Sequence, residues 1–180
     1  MSQSKPEEQQ DDHGQGQTGS KRYQIRQKMV SIGNDYWIEN EQGQEVYQVD
    51  GKIGWHKNFI FEDTHGEPLA RMKKHLLTVK ETMEISRPDG ELLAVVKKDL
   101  FTPLKEHFVV SVKNGPDLEV HGNLLDHEYS IGDGQNKVAQ VSKKLFHMRD
   151  SYAVTIEPGQ DEVVLLAVVV CIDEMTHSGS

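Results

Sequence analysis

Three pairs of adjacent lysines are the residues of this chain best suited to bind a ligand by charge. Each pair ends one of the repeated units described below, and its compact ammonium groups suit phosphate oxygens. Because neighbouring strand residues point to opposite faces, one lysine of each pair is expected to face outward. The candidate residues for an anion or phospholipid head group at one rim of the fold are Lys73, Lys74, Lys97, Lys98, Lys143 and Lys144.

The alternative is that these lysines only protect exposed strand ends and keep the protein soluble, which is a common device. The chain has a formal net charge of -9, and Glu81, Asp99 and Glu106 lie close to the lysine pairs in sequence. The same negative charge disfavours a nucleic-acid-binding protein, because such proteins bind through an excess of basic side chains. Both interpretations of the lysines stay open.

Nine histidines and several serines offer further chemistry, but their spacing predicts neither a metal centre nor a catalytic site. No HxxH, HExxH or CxxC spacing occurs, so no preformed zinc site is predicted. There is no Gly-x-Ser-x-Gly elbow, and the loop 132–137 lies between predicted strands, where no helix N-terminus can bind phosphate. We expect a non-catalytic protein without metal or cofactor. A small-molecule carrier, or an enzyme with a pocket beside the central helix described below, is the alternative.

Length and composition bound the class of protein. At 180 residues the chain is expected to be one domain, residues 21–177, after a disordered polar tail, residues 1–20, with no aliphatic or aromatic residue after Met1. A single cysteine, Cys171, excludes an intrachain disulfide. No signal-type apolar region follows Met1, and no apolar run reaches the roughly 20 residues that span a bilayer. We expect a cytoplasmic protein with at most peripheral membrane contact.

A turn dipeptide that recurs between short alternating runs organises most of the chain. The dipeptides are Gln42-Gly43, His65-Gly66, Asp89-Gly90 and Asp133-Gly134, so their glycines are 23, 24 and 44 residues apart, the last spacing being close to two units. Short alternating runs on both sides of such turns are the signature of β-hairpins. The runs predict about a dozen strands, and their connections are too short for parallel crossovers, so the sheet is expected to be antiparallel.

The apolar segment 163–172 determines how that sheet must be arranged. It is apolar on every face, and residues 161–176 contain no Gly or Pro, which favours an enclosed helix over a strand of ordinary length. A barrel of a dozen strands is too wide to be filled by its own side chains, because barrels of about eight strands already reach that limit. We therefore predict a mainly β fold, a closed antiparallel barrel around a central buried helix. The helix comprises Val163, Val164, Leu165, Leu166, Ala167, Val168, Val169, Val170, Cys171 and Ile172.

These features together resemble the LURP-one-related family, whose domain belongs with the Tubby C-terminal-like and phospholipid-scramblase-like folds. The matching stretches are the hairpin EQGQEVYQVDGK at residues 41–52, the strand end VSKKLF at residues 141–146, RDSY at residues 149–152, and the terminal helix with Asp173 after it. The resemblance implies a twelve-stranded barrel around a C-terminal helix but implies little about activity, because fold alone does not give function. Tubby domains bind phosphoinositide head groups through basic side chains, so a phosphoinositide or another anionic ligand is the partner that the resemblance implies.

Overall fold

The computed structural model describes residues 19–30, 33–52, 58–75, 81–99, 107–143 and 151–177. Of the predicted disordered tail, residues 1–20, only Gly19 and Ser20 fall within these ranges, so that prediction lies outside the described residues. The predicted ligand-binding residue Lys144 also lies outside them. The first strand begins at Lys21, and the last helix ends at His177.

Twelve antiparallel strands close into one barrel and are followed by a buried helix. Each strand pairs with its neighbours in sequence, and the first strand pairs with the last to close the barrel. The predicted fold class is therefore confirmed. The elements are β1 Lys21–Val30, β2 Gly33–Glu39, β3 Glu45–Lys52, β4 Asn58–Asp63, β5 Pro68–His75, β6 Thr82–Ser86, β7 Leu92–Asp99, β8 His107–Val112, β9 Asp117–Asn123, β10 Glu128–Gly132, β11 Lys137–Ser142, β12 Ser151–Ile156 and α1 Glu162–His177.

The predicted hairpin turns form where glycine and a preceding Asx residue occur together. In the turn between β4 and β5, Gly66 has a φ of 80°, which side chains with a Cβ rarely adopt. Asp63 closes the same turn, because its Oδ1 accepts hydrogen bonds from the backbone N–H groups of His65 at 2.8 Å and Glu67 at 2.9 Å. The position of this turn is therefore determined by two local residues, Gly66 through its backbone conformation and Asp63 through its hydrogen bonds.

Alternation of side chains along each strand separates the core from the surface. On β5, Ala70 and Met72 are buried, whereas the intervening Arg71 and the following Lys73 are exposed. This is the pattern expected when successive side chains point to opposite faces of a sheet. The inward side chains of the strands form one hydrophobic core with the helix.

The central helix is buried over most of its length, as predicted for the segment 163–172. Every residue from Val164 to Met175 is buried. The helix begins at an N-cap, since Asp161 Oδ1 accepts a hydrogen bond of 3.0 Å from the backbone N–H of Val164. Cys171 is fully buried and burial raises the pKa of its thiol, so this cysteine acts as a small hydrophobic side chain. No helix in the described ranges is both long enough and apolar enough to cross a bilayer.

Candidate ligand-binding rim

The barrel end at which α1 finishes, here called the C-terminal rim, carries the ends of β5, β7 and β11 and the β9–β10 turn, residues 124–127. Odd-numbered strands of this antiparallel barrel all run in one direction, so they all end at the same rim. The helix begins at the opposite end, where Glu162 is ion-paired with Lys21 at the start of β1. It ends beside Lys98 of β7. The five predicted lysines that the structure describes therefore lie at or next to the C-terminal rim.

Two of these lysines point into the barrel and are engaged by the protein itself. Lys74 forms an ion pair with Glu81, and only 14% of its side chain is exposed. Lys98 Nζ donates a hydrogen bond of 3.3 Å to the backbone carbonyl of Met175 and lies 5.8 Å from the ring centroid of Phe108. A cation at a helix C-terminus stabilises the free carbonyls and the helix dipole. Lys74 and Lys98 therefore have structural roles.

The outward lysines belong to a basic surface on β5, β6 and β7, here called the β5–β7 face. Lys73 and Lys97 are exposed, and so is Arg71, which precedes Lys73 by two residues on the same side of β5. None of these three side chains forms an ion pair with any residue that the structure describes. The acidic residue on the outward side of β6 is Glu84, which lies opposite Lys73 and pairs with His75 at 3.0 Å.

Lys143 is exposed but is remote from this face. It follows β11, which lies six strands from β5 in the barrel of twelve, so it is on the far side of the rim. Of the five predicted lysines that the structure describes, Lys73 and Lys97 are thus the exposed ones on the β5–β7 face, and Arg71 is an additional cation there. Arg71 was not predicted because it belongs to no lysine pair; the signal that indicates it is the period of two along β5, which places it on the same face as Lys73.

A buried polar cluster fills the centre of the C-terminal rim where α1 ends. Asp173 and Glu174 are 4% and 1% exposed, and the Tyr36 hydroxyl lies 2.9 Å from a carboxylate oxygen of each. The hydroxyl has one proton and can donate to only one carboxylate at a time. Asp173 Oδ1 also lies 2.6 Å from His127 Nε2 and 3.2 Å from His177 Nδ1. The cluster links the last turn of the helix to β2 and to the β9–β10 turn.

The pKa of Asp173 shows that its partners outweigh its burial. Burial by itself would raise the pKa of this carboxyl group, but hydrogen bonds and positive charge from His127 and His177 lower it to about 2. The hydrogen bond to Asp173 in turn raises the pKa of His177. Burial and the two carboxylates raise the pKa of Tyr36 well above its usual value, which keeps this phenol protonated as a donor.

Backbone conformation at His127 contributes to this cluster. His127 has a φ of 52°, a left-handed conformation that is uncommon for residues other than glycine. Its ring stacks between Tyr152, at a centroid distance of 4.3 Å, and His177, at 4.8 Å. The sequence did not indicate this role of His127, because no local spacing relates it to a helix that begins 35 residues later.

Two surface recesses lie at the opposite end of the barrel, next to the first turn of α1. Their volumes are about 650 and 600 Å³, and both include Lys21 and Glu162. They lie outside the end of the helix, whereas Leu166 to Val170 within the barrel are fully buried by packed side chains. The alternative prediction of a carrier pocket beside the central helix therefore gains no support from these recesses.

Two groups of side chains bring histidines and acids close enough to be considered for a metal ion. One is His127, Asp173 and His177 in the buried cluster, and the other is His107, Glu119 and His121 on the outer face of β8 and β9; in each group the ligand atoms lie within 4.8 Å of one another. Each group combines two residues close in sequence with a histidine from another part of the chain, His107 or His127, which is why motif spacing did not indicate the groups.

Comparison with known proteins tests the family resemblance directly. The chain is 28% identical over 155 residues to Uncharacterized protein YxjI of Bacillus subtilis (strain 168), with 86% of this chain and 93% of that protein covered. It is 21% identical over 170 residues to Protein LURP-one-related 15 of Arabidopsis thaliana, with 85% of this chain and 78% of that protein covered.

A solved structure supports the same fold. An X-ray structure of a protein from Arabidopsis thaliana superposes with a TM-score of 0.63 at 19% identity, covering 91% of this chain and 97% of that one. At this identity the similarity shows the fold alone. The family model described as LURP-one-related matches residues 21–173. Because this match covers most of the sequence, including all twelve strands, the chain belongs to the LURP-one-related family.

Proposed function

We propose that this protein is a non-catalytic, cytoplasmic binding module that binds an anionic ligand, a phosphate or phospholipid head group, on the β5–β7 face. The observation that carries the proposal is the exposure of Arg71, Lys73 and Lys97 without an ion-pair partner among the described residues, in a chain whose net charge is -9. A local excess of unpaired cations on an acidic protein favours a specific anion site over general solubility.

The spacing of Lys73 and Lys97 fits one polyanionic group, and Arg71 lies two residues before Lys73 on β5, on the side away from Lys97. Neighbouring strands are about 4.8 Å apart and residues rise about 3.4 Å along a strand, so the Cα atoms of Lys73 and Lys97 are roughly 12 Å apart. Both side chains are long and mobile, and Arg71 can bind phosphate oxygens in a bidentate manner. Glu84 lies between Lys73 and Lys97, with a carboxylate oxygen 3.0 Å from His75 Nε2.

Lys74, Lys98 and Lys143 take no part in this proposed site. The first two are bound to Glu81 and to the end of α1, and removing them would disturb the barrel as well as any ligand. The proposed site therefore contains two of the six lysines expected from the sequence. Reversing the charge of Lys97 should weaken ligand binding, whereas reversing that of Lys143 should not.

Vesicle binding tests the proposal. Phosphatidylcholine vesicles with and without a phosphoinositide are sedimented with the protein at low salt and at about 0.15 M salt, where charge interactions are screened beyond about 8 Å. A basic residue near an anionic surface contributes about 1 kcal/mol, so reversing Lys73 and Lys97 to Glu should weaken binding by at least roughly 30-fold. Calorimetric titration with inorganic phosphate shows whether the phosphate group alone is sufficient.

The control changes the same amount of charge elsewhere. Arg22→Glu with Lys137→Glu alters two exposed cations at the opposite end of the barrel, and this variant should bind like the unmodified protein. Lys143→Glu should also have little effect. No binding of either probe at low salt, or equal loss in the Arg22/Lys137 variant, would remove the proposed anion site.

A further inference from the structure

The hairpin of β8 and β9 places two histidines and a glutamate together on the outer surface of the barrel. Phe108 pairs with Val120 in the antiparallel register, which puts the preceding His107 opposite the following His121. Glu119 precedes His121 by two residues and therefore points to the same face. Three side chains of the types that bind transition metals in proteins thus occupy neighbouring positions on one sheet surface.

The distances between the ligand atoms of these three side chains suit a shared metal ion. His121 Nε2 lies 3.0 Å from a carboxylate oxygen of Glu119, and the ligand atoms of all three residues lie within 4.8 Å of one another. Metal-ligand distances of about 2.0–2.2 Å in a tetrahedron separate two ligand atoms by roughly 3.4 Å. Small rotations of the exposed Glu119 and His121 side chains and of the half-buried His107 would bring their ligand atoms to this separation.

The chemistry of the three ligands indicates the class of metal. Imidazole and carboxylate together favour borderline divalent ions such as Zn²⁺, whereas Mg²⁺ and Ca²⁺ prefer sets of oxygen ligands. Side chains of His121 and Glu119 are 59% and 49% exposed, so the side of the site that faces away from the sheet is open to water. We propose that His107, Glu119 and His121 form a surface site for a borderline divalent transition-metal ion, with three protein ligands and an open coordination position occupied by water.

The buried group His127, Asp173 and His177 is the competing location, but its geometry is less suitable. A ring nitrogen directs its lone pair within the plane of the imidazole, so two histidines bind one ion when their planes meet at it. The rings of His127 and His177 are stacked with an interplanar angle of 1°, whereas those of His107 and His121 are inclined at 54° with centroids 6.1 Å apart. Metal binding in the buried group would first have to break the stack.

Titration of the full, tag-free chain with Zn²⁺ and Co²⁺ alone tests this site. Calorimetry measures the Zn²⁺ affinity and stoichiometry, and the visible absorption of Co²⁺ reports the number and type of its ligands. We expect one equivalent to bind in the micromolar range with nitrogen and oxygen ligands. Loss of a direct ligand should weaken binding by about 100-fold or more, because even changes behind the ligands cost 10–100-fold.

Variants identify the ligands. His121→Ala, His107→Ala and Glu119→Gln should each weaken binding by that factor, and the last of these keeps the size of an exposed side chain and should leave the thermal melting temperature unchanged. His65→Ala in the exposed β4–β5 turn and His177→Ala in the buried group are the controls, and both should bind normally. Absence of Zn²⁺ and Co²⁺ binding in the micromolar range, unaltered binding by Glu119→Gln or His121→Ala, or loss of binding in His177→Ala would overturn the assignment.

Discussion

Replacing Asp173 with asparagine tests whether the negative charge of its carboxylate stabilises the folded protein. The pKa of Asp173 is about 2 in the folded protein against an ordinary value of 3.8. Each pKa unit corresponds to about 1.4 kcal/mol, so the ionised carboxylate stabilises the fold by about 2 kcal/mol near neutral pH. Because the folded-state pKa is the lower one, this contribution is fully present above pH 3.8 and is lost as the pH falls toward 2. Asp173→Asn should remove it.

The same substitution should also change the alkaline side of the stability profile. The pKa of His177 is raised, chiefly by its hydrogen bond to Asp173. A raised folded-state pKa stabilises the protein below the ordinary histidine value and loses this effect as the pH rises through the folded value. Without the carboxylate, the stability of the variant should no longer decline as the pH rises through the pKa of His177, nor as it falls toward 2.

The assay is denaturant unfolding at a series of pH values, followed by circular dichroism. Asp117→Asn is the matched control, since it makes the same chemical change at an exposed position of β9. We expect the difference in unfolding free energy between the native protein and Asp173→Asn to be about 2 kcal/mol at pH 7 and to shrink below pH 4. A difference that is constant with pH, or equal to that of the control, would refute the proposed role of the ionised carboxylate.

Two further predictions concern packing. Val168→Asp should unfold the domain, because an unpaired carboxylate at this fully buried position costs several kcal/mol, comparable to the ~5–15 kcal/mol stability of a typical domain. Leu125→Asp, at a position 66% exposed, is the control. Similar melting temperatures of the two variants would contradict enclosure of the helix. Gly122→Ala should lower the unfolding free energy by about 3 kcal/mol, because its φ is 138° and a Cβ would lie 2.4 Å from the Glu128 carbonyl oxygen. Gly134→Ala, where a Cβ meets nothing within 4 Å, should lower the unfolding free energy clearly less. Equal losses of unfolding free energy in the two variants, measured in urea, would show that the close approach at Gly122 is unimportant.

Most of the fold could be predicted from the sequence because its signals are local. The turn at Gly66 is specified by its glycine and by Asp63, and the alternation on β5 shows which side chains face the core. The helix was predicted from composition, since a segment apolar on every face must be enclosed. Closure of the barrel then followed from the need to cover that helix with a dozen strands.

The candidate sites could be predicted only in part, because their partners are distant in sequence. Six lysines were candidates for one ligand-binding rim, with one lysine of each pair expected to face outward. Alternation along the strands does not predict that Lys74 pairs with Glu81 or that Lys98 caps the helix. Arg71 was not considered. The prediction of no metal site rested on the absence of a zinc-type motif, whereas the proposed site rests on strand register, which places His107 opposite His121 although no motif connects them.

The sequence by itself determined the secondary structure and the enclosure of the helix, because turn residues, period-two alternation and an all-apolar segment act over a few residues each. Only the tertiary structure decided which charges remain exposed and which are paired. Asp173 and His127 are 46 residues apart, and Lys98 and Met175 are 77 apart, so their contacts exist only once the strands have taken their register and the helix has entered the barrel. Register and closure are long-range outcomes of packing, which is why the chemistry at the rim and on the β8–β9 hairpin had to be obtained from the folded molecule.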